Sequence, residues 1–306
     1  MGEKVSIAIG KLQEKYGDMR ALEIAHEIGA DAVDFCLHGA RWDYRNPESV
    51  YSKGEKEIYK YFYELYEYAK SLGVEIGQTH GRMRTYDRNP EENEAIMKNA
   101  RLDCLATSAL HSPFCVMHGV TLRATGLDVE PGWMHQINYE AFHQIISYAK
   151  EFHIKIATET FGDADFEHCD FFGNICEFIK TYNRICAVGD NADYFSVCVD
   201  TGHSNKATRF GNPSAADVIR LLGKNVSVLH LNDNDALTDQ HKIPMTGNLD
   251  WQDIFDALHE VGYHGNYNME LKLTHFGDGF EVETAAFAIK VMRHMLEQEK
   301  NEYCIK

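Results

Sequence analysis

VSVLHLNDNDALTDQH, residues 226–241, opens as a buried β-strand and closes in a crowd of carboxylates and imidazoles. Val226 to Leu231 is an apolar run of strand length, and His230, Asp233, Asp235, Asp239 and His241 sit at its end or just behind it. A solvated loop could collect such residues by chance. The pattern gains meaning only if other strands of the chain end in the same way.

Outward from this stretch, short runs rich in Val, Ile and aromatic residues alternate with longer segments of helical period, the pattern of repeated βα units and a parallel sheet. The strand-like runs are VSIAIG (5–10), DAVDFCLH (31–38), GVEIGQTHG (73–81), PFCVMHGV (113–120), IKIATET (154–160), FSVCVDTGH (195–203), VSVLHLND (226–233) and YNMELK (267–272), eight in all. Between them lie amphipathic stretches such as EIYKYFYELYEYAKSLG, YEAFHQIISYAKEF and DWQDIFDALHEVG, and a last helix is expected over 281–299. Eight strands, each followed by a helix and with no Pro/Gly/Ser-rich linker, predict one α/β domain over residues 1–306, a closed (β/α)8 TIM barrel. A doubly wound open sheet is the alternative. Neither G-x-G-x-x-G after the first strand nor G-x-x-x-x-G-K-[ST] occurs, so no Rossmann or P-loop nucleotide site is indicated.

The 306 residues are 44% hydrophobic and 25% charged, as in globular proteins, and no apolar run reaches the roughly 18 residues a membrane span needs. The N-terminal MGEKVSIAIGKLQEKYGDMR carries charge too early for a signal peptide, so a cytoplasmic location is expected. The eight cysteines, Cys36, Cys104, Cys115, Cys169, Cys176, Cys186, Cys198 and Cys304, include no C-x-x-C pair, which argues against a zinc ribbon and a disulfide framework. A formal charge of -17 opposes binding of nucleic acid through a broad basic surface.

In a barrel of this kind the chemistry sits at the C-terminal ends of the strands. There the third strand delivers His80, the fourth His118, the fifth Glu159, the sixth Asp200 and His203, the seventh His230 and the eighth Glu270. Any one of these alone reads more readily as a capped or hydrogen-bonded structural residue. Together they do not, because carboxylates set in apolar strands such as IKIATET and YNMELK have few solvated alternatives and are costly to leave unpaired. One shared divalent cation is the simplest partner. Glu159, Asp200, His230 and Glu270 offer three carboxylates and one imidazole, a mostly hard set that suits Mn²⁺ or Mg²⁺ and tolerates Co²⁺ or Zn²⁺. His38 reads equally as site or structure, and His26, His135, His143, His153, His259 and His294 read as structural.

At ATET, CVDTGH, LHLND and MELK the sequence resembles the xylose isomerase-like barrels, the superfamily that includes ketose 3-epimerases, inosose dehydratase and endonuclease IV. The resemblance places the epimerase metal ligands on Glu159, Asp200, His230 and Glu270 and a substrate-binding histidine on His203. PMTGNLDW (244–251) is similar to the G-x-G-x-[IL]-D-W element that opens the seventh helix in many members, with Met245 ahead of Thr246 and with Thr246 and Asn248 in its variable places. Where the 3-epimerases carry an arginine six residues past the seventh-strand histidine, this chain has Ala236, which leaves the sugar open. Endonuclease IV is the rival: its trinuclear zinc site, acting on abasic DNA, uses residue types that His80, His118, Asp239 and His241 also supply.

The chemistry expected is a metal-dependent sugar isomerase or epimerase. A sugar or polyol ketone held by the cation has its adjacent C–H acidified because the cation stabilises the enediolate. Glu159 and Glu270 are the expected catalytic acid/base pair, and His80, His118, His203, Asp239 and His241 the expected contacts to substrate hydroxyls. Phe161, Trp42 and Trp133 are candidate pocket walls. A homodimer is the expected assembly, since barrels of this kind often bury rim loops against a partner. A barrel that binds metal and sugar without turnover is the non-enzymatic alternative.

Overall fold

The computed structural model describes residues 3–83, 86–161 and 168–303; Cys304 lies outside them. Eight strands form one sheet: β1 Val5–Ala8, β2 Ala32–Cys36, β3 Glu75–His80, β4 Phe114–Met117, β5 Lys155–Glu159, β6 Phe195–Asp200, β7 Val226–His230 and β8 Tyr267–Met269. Every neighbouring pair is parallel, from β1 beside β2 through β6 beside β7, and β1 also pairs with β8. The seam between β7 and β8 is closed just past β7, where Leu231 bridges Met269, its N–H reaching the Asn268 carbonyl at 2.8 Å. The chain is thus a (β/α)8 barrel, and the open doubly wound sheet is excluded by that closure.

Helices form where an apolar stripe at helical spacing can face the barrel. Glu55–Leu72 buries Ile58, Phe62, Leu65 and Ala69, spaced by four, three and four, and ends at Gly73, whose φ of 75° is the left-handed cap a glycine adopts without strain. Trp251–Glu260 starts at Asp250, whose carboxylate accepts the Asp253 N–H. The main apolar core lies between strands and helices, with Phe35, Phe62, Phe142, Phe178 and Phe195 among its largest fully buried side chains.

The barrel lumen is different in kind. A small apolar cluster of Val116, Ala157, Cys198 and Val228 fills part of it. Beside that cluster runs a polar thread: the Ser6 hydroxyl donates to Asn268 Oδ1 at 2.8 Å, and the amides of Asn268 and Gln78 donate to Asp34 Oδ2 at 3.5 and 2.9 Å.

The sixth strand is shorter than the run 195–203 predicts. It stops at Asp200, whose Oδ1 accepts the His203 N–H at 2.6 Å and caps a short helix, Thr201–Ala207. A side-chain acceptor that satisfies a first-turn N–H favours helix over further strand. His203 therefore lies on a helix. Among the described residues, no helix is long and apolar enough to cross a membrane.

Candidate active site

The strand ends converge at the C-terminal face of the barrel. Glu159 closes β5 and is buried at the centre: its Oε2 lies 2.9 Å from His118 Nε2 and 3.2 Å from His230 Nδ1, and its Oε1 lies 3.1 Å from His203 Nδ1. His230 closes β7, with Nδ1 also 3.3 Å from Glu270 Oε2. His80, at the end of β3, sits 3.6 Å from Glu159 and 3.7 Å from Glu270. Asp200, closing β6, takes the Asn232 amide on Oδ2 at 2.8 Å.

One ligand atom from each of Glu159, Asp200, His230 and Glu270 falls within 4.8 Å of the others. The same spacing groups His80, His118 and Glu159, and separately His203, Asp239 and His241. Both Glu159 carboxylate oxygens, His118 Nε2 and His230 Nδ1 are buried and lack a hydrogen-bond partner of acceptable geometry. Orphaned donor atoms of this kind, aimed at one another in a space closed to solvent, fit a divalent cation.

The loop beyond β7 divides the acidic crowd of residues 233–241 by role. Asp233 is structural, its Oδ2 accepting Trp251 Nε1 at 2.9 Å and its Oδ1 the Asn234 N–H at 2.9 Å. Asp235 closes a turn through the Leu237 and Thr238 N–H groups. Asp239 and His241 instead face the site. His241 Nε2 is 3.2 Å from Asp239 Oδ2, its Nδ1 is 3.7 Å from Glu270 Oε2, and Asp239 Oδ2 is 3.5 Å from His203 Nε2. Asp239 is the most exposed of the group, at the mouth. The loop is held in a demanding shape, with Ala236, His241 and Met245 all at positive φ.

Charge follows this geometry. Burial would raise the Glu159 carboxyl, but His118 and His230 outweigh it and hold it well below the usual carboxylate range. Glu270 is also held low, burial being overcome by His230 and His241. Burial pushes Asp200 up to about 6 against the opposing His203. His241 is raised to about 9, burial being outweighed by Asp239 and Glu270. His118 is lowered by burial despite Glu159.

A cavity of about 590 Å³ opens beside this cluster, lined by Asp34, Cys36, His38, Trp42, His80 and Glu270 among others. A larger one, about 710 Å³, lies toward the opposite ends of the strands against Lys4, Glu75, Phe114 and Tyr263, and holds none of the strand-end carboxylates. Phe161 stands between His118 and His203, ring centroids 5.1 and 5.0 Å away. Trp42 is buried against Phe62 at 5.2 Å and is among the residues lining the smaller cavity. Trp133 is half-exposed on the helix Pro131–Phe152, against Tyr86. His38 joins the cluster through His80, ring to ring at 5.0 Å. His135 is buried between Thr181 and Glu177.

Sequence reading missed Asp34 and Asn232. Asp34 faces His230 Nε2 at 3.1 Å. Its signal was present, since an acid inside the apolar run DAVDFCLH is the same anomaly that marks Glu159 in IKIATET.

Fold and rim together define a (β/α)8 barrel with a buried carboxylate–imidazole centre at the C-terminal ends of its strands. The chain belongs to the xylose isomerase-like TIM barrel family, whose model matches residues 77–295. A protein of Sinorhizobium fredii designated y4fM, itself uncharacterized, is 26% identical over 192 residues, a match covering 62% of this chain and 56% of that protein. The crystal structure of a D-tagatose 3-epimerase-like protein superposes with a TM-score of 0.73 at 18% identity, covering 98% of this chain and 99% of that one. The crystal structure of the IolI protein with a binding zinc atom superposes with a TM-score of 0.68 at 15% identity, over 95% of this chain and 96% of that one.

Proposed function

We propose that the protein is a divalent-metal-dependent sugar isomerase or epimerase that moves a proton at the carbon beside a carbonyl. The observation that carries this reading is the convergence of two glutamates, Glu159 and Glu270, on His230 Nδ1, at 3.2 and 3.3 Å, with Glu270 lining a cavity of about 590 Å³. That volume suits a small sugar or polyol ketone. Glu159, Asp200, His230 and Glu270 would hold one cation, with Mn²⁺ the first choice for a set rich in carboxylates. The zinc in the IolI structure supports a divalent ion at such a centre. When bound, the cation supplies Lewis acidity that favours negative charge on the substrate's carbonyl oxygen.

The rest is done by the chain's own side chains. Neighbouring imidazoles favour the ionised form of both glutamates, the form that can receive a proton. One takes the proton from the substrate carbon. Epimerisation needs a proton delivered to the opposite face by the other glutamate, which takes one up from solvent or a neighbouring imidazole, while return of the abstracted proton to the neighbouring carbon gives aldose–ketose isomerisation. His80, His118, His203, Asp239 and His241 hydrogen-bond hydroxyls and hold the reacting carbon in line. Phe161, packed on His118 and His203, keeps water from that side.

Phosphodiester hydrolysis on the endonuclease IV pattern would draw on His80, His118, Asp239 and His241, the first two grouped with Glu159 and the last two with His203. The net charge of -17 weighs against a DNA substrate and for the sugar. The test is solvent exchange: with Mn²⁺ in D₂O, the protein should wash deuterium into a ketohexose or an inositol-type ketone. No incorporation across a broad panel would reject the reading, and incision of an abasic-site oligonucleotide by the same sample would replace it.

A further inference from the structure

Beneath the proposed metal centre lies a carboxylate that none of the steps above uses. Asp34, in the middle of β2, is 1% exposed. Its Oδ2 takes the amide N–H groups of Gln78 at 2.9 Å and Asn268 at 3.5 Å, and the same oxygen lies 3.1 Å from His230 Nε2. An oxygen already receiving two amide donors is an acceptor, so Nε2 must be the nitrogen that carries the ring proton. Nδ1 is then left with its lone pair. It points at Glu159 Oε2 and Glu270 Oε2, both acceptors, at 3.2 and 3.3 Å. Three acceptors facing one another in a buried space repel unless a cation stands among them or the ring takes a second proton. The plane of the ring is held from the side by His80, stacked at 5.3 Å with 16° between planes.

We propose that Asp34 is the positioning residue of the metal centre: it fixes the tautomer and the orientation of His230, so that Nδ1 is the coordinating nitrogen. The inference rests on the metal-dependent reading of the site. Asp34 is itself fixed, because Gln78 and Asn268 hold it and Ser6 holds Asn268, so the whole polar thread of the lumen serves one imidazole. Partners of this kind behind a metal-bound histidine keep the ring in place and raise its basicity.

The experiment needs no sugar. Metal-stripped parent, Asp34→Ala and Asp34→Asn are titrated with Mn²⁺ alone, and the zinc-loaded proteins, labelled with ¹⁵N-histidine, are read by NMR with His230 assigned from its loss in His230→Gln. Asp34→Ala should bind Mn²⁺ about 10- to 100-fold more weakly and lose the hydrogen-bonded Nε2–H resonance of His230. Asp34→Asn, which keeps an acceptor oxygen, should fall between. Parent-like affinity in Asp34→Ala, or weaker binding with the Nε2–H resonance unchanged, overturns the assignment. Should Asp34→Ala not fold, the isosteric Asp34→Asn decides: weaker binding with a shifted resonance supports the proposal, and parent-like values of both overturn it. A parent that binds no divalent metal overturns the metal-dependent reading itself, a different outcome from a parent that binds and variants that bind equally.

Discussion

Glu159 and Glu270, 111 positions apart in sequence, meet across a single imidazole nitrogen, His230 Nδ1, which lies 3.2 Å from one carboxylate and 3.3 Å from the other. No local pattern in either strand contains this relationship. It arises because β5, β7 and β8 end at the same face of a closed barrel.

Replacing either glutamate by Gln keeps its size and removes a charge that would both bind metal and carry the proton. Glu159→Gln and Glu270→Gln should each lower turnover by at least about 10²-fold, the lower end for a general base. Circular dichroism should be unchanged, since the apolar core lies between strands and helices. Activity within a few-fold of the parent in both variants would take them out of the mechanism.

Metal content separates the sugar enzyme from the nuclease. The expected result is one divalent ion per chain on Glu159, Asp200, His230 and Glu270, by elemental analysis of protein purified without added metal. His118→Ala should retain that equivalent. Three equivalents of zinc in the parent, falling in the variant, would promote phosphodiester hydrolysis instead.

Gly247 sits where a side chain has no room. A Cβ there would lie 2.1 Å from Asp233 Oδ1 and 2.2 Å from the Asn234 carbonyl oxygen. The backbone atom cannot swing aside, so the loop carrying Asp239 and His241 must move. Gly247→Ala should cost at least about 2 kcal/mol and disturb Trp251, whose indole donates to Asp233. Thermal melting with tryptophan fluorescence reads both effects, and a parent-like melting point and spectrum would refute the steric account.

Asp170 gives a pH signature away from the site. It is 1% exposed and accepts the N–H groups of Leu122 and Phe172 at 3.2 and 3.4 Å. Burial pushes its carboxyl up to about 7, the backbone donors opposing. The folded value is raised, so the contribution is fully present below about pH 4, the unfolded value, and is lost as pH rises through the folded one. Asp170→Asn keeps one of the two acceptor oxygens and removes the ionisation. Its melting temperature should therefore gain on the parent's as pH is raised from about 5 to about 8. A gap constant with pH would show that Asp170 ionises without cost.

Much of the candidate site could be read along the chain because a carboxylate or imidazole at the end of an apolar run is a local anomaly. Glu159 in IKIATET, His230 in VSVLHLND and Glu270 in YNMELK stand out against their own neighbours. Asp34 carried the same signal without a strand-end position to draw attention to it. Its meaning depends on His230, 196 positions away.

By itself the sequence determined the alternation of eight strands with helices and the residue types at the strand ends, since side-chain periodicity and burial are properties of short segments. Only the tertiary structure decided that the sheet closes, through β1 on β8 and the Leu231–Met269 bridge. It also decided that the sixth strand yields to a helix at Asp200, and that Asp233 and Asp235 support the loop. The physical reason is the same each time: a polar group's role is set by the partner that satisfies it, and these partners come together only when distant strands are brought into register.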